Sequence, residues 1–380
     1  MNLKLLYIGF AVVVLFTNFK SRNNNQSENT ISFQKELDEQ VNENMPGISV
    51  SVITNDKNFY INWNGASGLS DVENGVKLLP DQTFRIASVT KTFVAATILR
   101  LWEDGKIKLE DPISKYISEE HVSILKTGSY NPEEITVYHL LTHSSGLSDH
   151  TQSLKYEFDY LKLNHIWSRT EQLNDLVNYT KPVGKIGEKF SYSDTGYILL
   201  GEIIETITNK SLGEAIIEQL KLKKLGLSNI YMEDFKGDYS NKRIHQYIKN
   251  EDTYFINPSL DYYGGGGLLA NSYDLSLFFQ YLFEHKIFHN ESTLSKMLSP
   301  VNYQSKQSLD YRVGIWETEI NGMTAYTHTG FWGTQVIYIP EIKTSIAVNY
   351  SQKWKTKNFA PIIPIIVEKI LQMKSENNHL

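Results

Sequence analysis

A serine and a lysine three residues apart, Ser88 and Lys91, form the part of this sequence best suited to covalent chemistry. Their segment combines an extended approach from Thr83, a serine suited to the first turn of a helix, and an apolar stretch that ends before Gly105. The chain has three serine–lysine pairs with this spacing: Ser32 with Lys35, Ser88 with Lys91, and Ser123 with Lys126. The first and the third are interpreted as a capping serine with a solvated lysine.

The spacing of Ser88 and Lys91 predicts a nucleophile with a base beside it. Residues three apart on a helix share one face, about 5–6 Å apart at Cβ. A serine hydroxyl is a weak nucleophile until a base takes its proton, and a lysine removed from water can be neutral enough to do so. Free N–H groups in the first helical turn would then hold the oxyanion. The alternative for this pair is again a helix cap and a surface lysine.

Two later segments carry polar and aromatic residues that could complete such a site. Residues 187–197 contain Tyr192 and Asp194 and precede an apolar helix predicted from Ile198 to Thr206. Residues 326–333 contain a His-Thr-Gly sequence on a predicted strand. Three such segments in this order are far more specific than the serine–lysine spacing alone.

Together the three segments resemble the motifs of the serine β-lactamase and penicillin-binding-protein superfamily. The version here is similar to the branch of class C β-lactamases, D-alanyl-D-alanine carboxypeptidases, D-aminopeptidases and related esterases. In that branch the second motif is Tyr-x-Asn and the third is Lys- or His-Thr-Gly. The resemblance extends from Phe33 to Tyr350 and includes supporting stretches at 135–147 and 264–270.

The resemblance implies a role for each motif residue. Ser88 would form an acyl-enzyme, Lys91 would help to deprotonate it, and Tyr192 would pass the proton to the leaving group. The backbone N–H groups of Ser88 and Phe331 would form the oxyanion hole. No metal or organic cofactor is implied. The implied substrate-binding residues are Asp194, His328, Thr329, Gly330 and Phe331.

Asp194 departs from the branch pattern, which has Asn at this position. An amide can donate to a substrate carbonyl while it accepts from the lysine, whereas a carboxylate only accepts. A carboxylate near Lys91 would also favour the protonated lysine. The departure argues against β-lactam or D-Ala-D-Ala chemistry specifically, and it is compatible with D-alanyl esterases of teichoic acid and other esterases.

The pattern of predicted helices and strands that must position these residues indicates an α+β fold. An antiparallel sheet is expected from both chain ends and flanked by helices, with a mainly helical second subdomain and the active site in the cleft between them. One hydrolase domain over 31–375 would comprise a sheet part (31–87 and 260–375) and a helical part (88–259). The predicted sheet strands are 48–54, 59–63, 324–329, 334–339 and 344–350, with helices at 31–44 and 359–373, the latter interrupted by Pro361 and Pro364.

Several other notable residues favour structural interpretations. His143 is predicted to be structural rather than a base, and Gly264 to Gly267 are predicted to allow close backbone packing, since no Gly-Lys-Ser/Thr follows them. Four aromatic residues could line an acyl pocket or cover the core. They are Tyr262, Tyr263, Phe331 and Trp332.

Composition narrows the function and the compartment. The 380 residues carry a net charge of −6 and no cysteine, which argues against a nucleic-acid partner and excludes disulfides, thiolate metal sites and a lipid-modified cysteine. Lys4 and the apolar run after it predict a signal peptide or N-terminal membrane anchor over 1–20, followed by a polar tether over 21–30. We therefore expect export, to the periplasm, the exterior or the membrane surface.

An exported serine hydrolase acting on a small-molecule or cell-wall ester or amide is the favoured function. Its substrate would be a D-alanyl ester, a D-amino-acid peptide or a related cell-envelope compound. The alternatives are a β-lactamase and a non-catalytic penicillin-binding sensor or scaffold.

Overall fold

The computed structural model describes residues 32–56, 59–159, 165–234, 243–303, 310–353 and 361–377. The predicted signal peptide or anchor and the tether lie outside the described residues. Within these ranges, no helix is both long and apolar enough to cross a membrane.

The strands form one large sheet and two small ones. The large sheet is antiparallel, in the order β3-β2-β1-β13-β12-β11-β10-β9, and the small sheets have the orders β4-β8-β5 and β14-β6-β7. The strands are β1 Gly47–Asp56, β2 Phe59–Asp71, β3 Val76–Lys77, β4 Phe84–Arg85, β5 Tyr231–Met232, β6 Tyr247–Ile248, β7 Glu251–Asp252, β8 Leu268–Ala270, β9 Asp310–Tyr311, β10 Trp316–Ile320, β11 Met323–Thr329, β12 Thr334–Ile339, β13 Thr344–Tyr350 and β14 Gln352–Lys353.

Helices cover both faces of the large sheet and build the part beside it. They are α1 32–40, α2 Thr90–Glu103, α3 Glu119–Thr127, α4 Val137–Leu141, α5 Leu154–Asp159, α6 Arg169–Tyr179, α7 Asp194–Thr208, α8 Leu212–Gln219, α9 Ser272–Phe283, α10 Glu291–Leu298 and α11 Ile362–Asn377.

Both chain ends meet in the centre of the large sheet, as predicted. Val50 of β1 lies opposite Val348 of β13 on one side and Gly65 of β2 on the other. The side chains of β1 alternate between the two faces. Val50 belongs to a core with α1 and α11, whereas Ser49 bonds to Ser272 of α9 at 2.9 Å. The predicted α+β class is confirmed.

The closing helix differs from its prediction at both ends. It begins at Ile362, directly after Pro361, and continues through Pro364 to Asn377. Pro364 lies in the first turn, where backbone N–H groups have no helical acceptor, so its missing N–H costs nothing there. The first helix is shorter than predicted because it ends at residue 40.

The helix that follows Ser88, α2, joins the sheet to the helical part. α2 is buried almost throughout, and the ring of its Phe93 stacks on Phe278 of α9 with centroids 3.9 Å apart. Strand β4, just before α2, pairs with β8, which also pairs with β5 of the helical part. These small strands link the two parts. The boundaries predicted at 87/88 and 259/260 stay predictions.

Candidate active site

Ser88 lies in a 3-10 turn, Ala87–Val89, that joins β4 to α2. The turn is anchored because Ile86 donates its backbone N–H to Leu268 of β8 at 3.1 Å. Ala87 has a φ of 45°, in the left-handed region that residues other than glycine seldom adopt. Such backbone strain concentrates at functional sites, and the next residue, Ser88, lines a pocket.

Lys91 lies one turn later, with its Nζ 2.9 Å from Ser88 Oγ. The side chain is fully buried, and its Nζ donates to the Gly265 carbonyl at 2.5 Å and pairs with Asp194 Oδ1 at 2.6 Å. Burial alone would lower the pKa of Lys91, but the Asp194 carboxylate and the Tyr192 oxygen outweigh burial and raise the pKa above its usual value. Lys91 is therefore an ammonium ion in this arrangement.

Tyr192 precedes α7 and completes the cluster, because its phenol hydrogen-bonds with Lys91 and Ser88. Burial raises the pKa of Tyr192 to about 12, although Lys91 opposes this shift. The imidazole of His143 packs against the Tyr192 ring with centroids 4.3 Å apart and accepts the backbone N–H of Ser193 at 3.1 Å. Burial holds the pKa of His143 well below its usual value, so this histidine is a neutral support for Tyr192.

Asp194 is the first residue of α7, but it does not cap that helix. The preceding Ser193 does so, by accepting the N–H of Gly196 at 3.3 Å. The Asp194 carboxylate is thus left to pair with Lys91, while its backbone N–H donates to Asp149 Oδ2 at 3.1 Å. The residue that departs from the branch pattern lies directly in the ion pair of the site.

The end of β11 reaches the nucleophile's turn because residue 330 is glycine. A Cβ at Gly330 would lie only 2.3 Å from the carbonyl oxygen of Ile86. Just before it, the His328 imidazole is buried, which lowers its pKa to about 3. Its Nδ1 lies 2.9 Å from the Thr329 carbonyl oxygen, which can only accept, so Nδ1 carries the proton and Nε2 the lone pair. His328 is neutral and offers an acceptor.

The structure brings all eight predicted site residues together. Seven of them line one pocket of about 620 Å³, and the eighth, Lys91, is buried against Ser88. The seven are Ser88, Tyr192, Asp194, His328, Thr329, Gly330 and Phe331. The pocket also includes residues that sequence reasoning missed, namely Asp149, Thr151, Gln152, Ser153, Tyr156, Leu260, Asp261 and Trp316.

Two of the missed residues are acidic. Burial raises the pKa of Asp149 to about 7 and that of Asp261 to about 6, and the charge of Asp194 adds to both shifts. A signal for Asp149 was available, since it follows the supporting stretch 135–147 by two residues. Asp261 lies in a 3-10 turn, Pro258–Asp261, outside any motif, and no spacing pattern marks it.

The aromatic residues near the third motif divide between pocket and core. Phe331 lines the pocket and is 39% exposed, whereas Trp332 is buried in a small apolar cluster with Ala87 and Leu260. The glycines pack closely, as a Cβ on Gly264 would lie 2.3 Å from the Tyr197 carbonyl oxygen. Over the part of the chain that the structure describes, no group of three or more His, Asp or Glu side chains could hold a metal ion.

Comparison with curated proteins finds relatives in Staphylococcus aureus. Protein flp of strain NCTC 8325 is 32% identical over 174 residues, which are 44% of this chain and 31% of that protein. The match therefore spans about a third of the relative's length. The teichoic acid D-alanine hydrolase of strain MRSA252 is 25% identical over 300 residues, 74% of this chain and 65% of that protein.

Solved structures share the fold at low sequence identity. The D-amino acid amidase from Ochrobactrum anthropi SV3 superposes with a TM-score of 0.74 at 19% identity, over 92% of this chain and 99% of that one. The D-stereospecific amidohydrolase from a Streptomyces species gives a TM-score of 0.72 at 21% identity, over 90% and 97%. Finally, the family model described as Beta-lactamase matches residues 33–367, which confirms the predicted superfamily. This chain belongs to the beta-lactamase family.

Proposed function

We propose that this protein is an exported serine hydrolase that cleaves an ester or amide through an acyl-enzyme on Ser88. The contact of Ser88 Oγ with Lys91 Nζ at 2.9 Å, in a pocket also lined by Tyr192, carries the proposal. D-alanyl esters, D-amino-acid peptides and related cell-envelope compounds are the proposed substrates. A teichoic acid D-alanine hydrolase among the relatives and D-amino acid amidases among the structural neighbours support this substrate class.

Tyr192, rather than Lys91, is the proposed base. Lys91 is paired with Asp194 and already protonated, so it is poorly suited to take the Ser88 proton. The Tyr192 phenolate, in contrast, would be stabilised by the Lys91 ammonium. With a pKa of about 12, ionising Tyr192 at about pH 8 costs about 5 kcal/mol. That is a minor part of the roughly 16 kcal/mol barrier of an enzyme turning over about 10 times per second.

Acylation and deacylation then use the same proton path. The Ser88 Oγ–H proton moves to Tyr192 as Oγ bonds to the substrate carbonyl carbon. Tyr192 returns that proton to the leaving oxygen or nitrogen as the scissile bond breaks. A water molecule repeats the sequence on the acyl-enzyme and releases the acid, and the N–H groups of Ser88 and Phe331 are the proposed oxyanion donors.

Replacement of Ser88 tests this proposal. Ser88→Ala should lose the covalent adduct with a serine-directed phosphonate, measured by intact mass, and about 10³-fold or more in ester hydrolysis. Ser123→Ala is the matched control, because Ser123 also precedes a lysine by three residues but donates its hydroxyl within α3, to the Glu119 carbonyl at 2.9 Å. An adduct retained by Ser88→Ala would refute the mechanism. A wild-type protein that forms none would favour the non-catalytic scaffold.

Export is proposed from the charged and apolar N-terminal pattern and is consistent with the envelope substrate named for the teichoic acid hydrolase relative. Membrane anchorage through 1–20 belongs to the same proposal. Cell fractionation of the full chain, against a chain that begins after residue 20, tests it. The full chain should be found in the envelope or medium, and its recovery in the cytosol would contradict export.

A further inference from the structure

The pocket is lined by three carboxyl groups, and the charges of two buried cations outside its described lining, Lys91 and Arg85, act on Asp261. Asp149, Asp194 and Asp261 line it, and none of the described lining residues is lysine or arginine. The three carboxyl groups influence one another, since the charge of Asp194 raises the pKa of both others. Lys91 lies against Asp194 and can offset one of these charges.

His328 supplies an independent observation that points to the same kind of ligand. Its Nδ1–H is committed to the Thr329 carbonyl, so its Nε2 presents a lone pair. That Nε2 is buried and has no hydrogen-bond partner among the residues the structure describes, and His328 lines the pocket. The first residue of the third motif can be a lysine in the branch that this sequence resembles. Here that residue is His328, which provides a hydrogen-bond acceptor and no positive charge.

These acceptors discriminate between classes of substrate. A substrate carboxylate would meet like charges and no cationic side chain among the described lining residues, and a neutral acylamino carbonyl would meet no side-chain donor at Asp194. A free ammonium group brings three N–H donors and a compensating charge. Lys91 Nζ contacts both Asp194 Oδ1, at 2.6 Å, and Ser88 Oγ, at 2.9 Å. A substrate ammonium next to the scissile carbonyl would therefore lie near Asp194.

We propose that the pocket selects acyl groups that carry a free α-ammonium, which Asp194 binds and Asp261 stabilises by its charge. The inference rests on the proposed function and narrows its substrates to α-aminoacyl esters and amides. N-acylated peptides and acyl groups that end in a carboxylate are excluded.

Asp261 is the residue on which the inference can be tested. Trp332 Nε1 donates to Asp261 Oδ2, and an asparagine oxygen would keep that hydrogen bond while removing the charge. Asp149 is less suitable, because each of its oxygens accepts a backbone N–H, from Thr151 at 3.0 Å and from Asp194 at 3.1 Å. Its replacement would move Asp194, so Asp149 is a positioning residue.

The first experiment compares three ethyl esters at about pH 7, where an α-amino group is largely protonated. D-Alanine ethyl ester carries the ammonium, ethyl propionate lacks it, and monoethyl succinate carries a carboxylate. Release of ethanol should give a kcat/KM for D-alanine ethyl ester about tenfold or more above that for ethyl propionate, with monoethyl succinate slowest. Equal values for the first two esters would overturn the inference.

The second experiment repeats the comparison with two single-charge variants. Asp261→Asn should lower the ratio of the D-alanine to the propionate kcat/KM by about fivefold or more. Asp81→Asn, an exposed residue outside the pocket, makes the same change in net charge and should leave the ratio within about twofold. A merely structural role for Asp261 would slow both esters together and keep the ratio, which would contradict the proposal.

A binding measurement separates this inference from the proposed function. Calorimetry with the Ser88→Ala protein should show that D-alaninamide binds more tightly than propionamide. The additional replacement Asp261→Asn should reduce that preference. If wild type turns over no ester but the preference is present, the hydrolase proposal fails and the ammonium site stands. If wild type hydrolyses ethyl propionate but neither rate nor binding favours the ammonium, the inference alone fails.

Discussion

At the scale of single residues, the site differs from a simple serine–lysine pair in where its protons reside. Lys91 is fully buried, which would favour a neutral amine, yet it pairs with Asp194 at 2.6 Å and keeps its proton. In the proposed mechanism the base is therefore the third partner, Tyr192, whose ionised form the lysine would stabilise. In that mechanism, one carboxylate decides which residue accepts the Ser88 proton.

Replacing Asp194 by asparagine should reverse this assignment. Without the carboxylate, burial becomes the dominant effect on Lys91, so the pKa of Lys91 falls. A neutral Lys91 can then take the Ser88 proton, and the rise of kcat/KM with pH should move to lower pH. An amide at position 194 can also donate to a substrate carbonyl, so D-Ala-D-Ala peptides or β-lactams should gain relative to simple esters.

Rate against pH for Asp194→Asn and wild type, on one ester and one peptide, measures both effects. The helix cap is not at risk, because Ser193 provides it. An unchanged profile together with an unchanged substrate ranking would show that the ion pair has no part in catalysis.

At the scale of helices and strands, apolar β-rich runs were predictable and irregular segments were not. The predicted limits of β12 and β13 are correct to the residue, since buried strands such as Thr344–Tyr350 have turn residues at their ends. Strand β10 was missed because Trp316–Ile320 contains two glutamates, the half-buried Glu317 and the exposed Glu319, and it is a strand through its pairing with β9 and β11. α7 begins four residues earlier than predicted, since Ser193 rather than the first apolar residue sets its start.

The difference between regular patterns and irregular segments also explains which site residues were predictable from the sequence. Ser88, Lys91 and Tyr192 lie in motifs with recognisable spacing, so they could be read from the chain. Asp149 and Asp261 lie in loop and 3-10 segments that reach the pocket only after the sheet and helices have assembled. Their role depends on three-dimensional proximity to Asp194, which no local pattern encodes.

Gly330 provides an element-scale prediction, because it sets how closely β11 approaches the turn of Ser88. Gly330→Ala places a Cβ 2.3 Å from the Ile86 carbonyl oxygen, so the strand end must move away from the nucleophile. We expect kcat/KM to fall about 10²-fold, since misplacement by about 1 Å has such effects. Gly196→Ala in α7 is the control, as its Cβ would meet Leu140 at an ordinary 3.8 Å. Equal activity of the two variants would show that the close approach is not needed.

At the scale of the whole molecule, the large sheet separates two apolar cores. One core joins the sheet to α1 and α11 and includes Phe33 and Ile366, both fully buried. The other joins the opposite face to α9, α2 and the helical part, and it includes Phe93 and Phe278. The pocket lies on the side of the second core, because the 3-10 turn that carries Ser88 leads directly into α2.

This division predicts that stability and activity respond differently on the two faces. Ile366→Ala should lower the free energy of unfolding by about 2–5 kcal/mol, because it leaves a cavity in a closed core. The folded molecules should keep their kcat/KM, since no residue of that core lines the pocket. Phe93→Ala should cost a similar 3–5 kcal/mol and also lower kcat/KM, since it removes the stacking on Phe278 that fixes α2.

Denaturant unfolding together with active-site titration by a phosphonate measures both quantities for the folded fraction. If Ile366→Ala slowed each active site as much as Phe93→Ala, the sheet would transmit packing defects between its faces, and the independence of the two cores would be disproved.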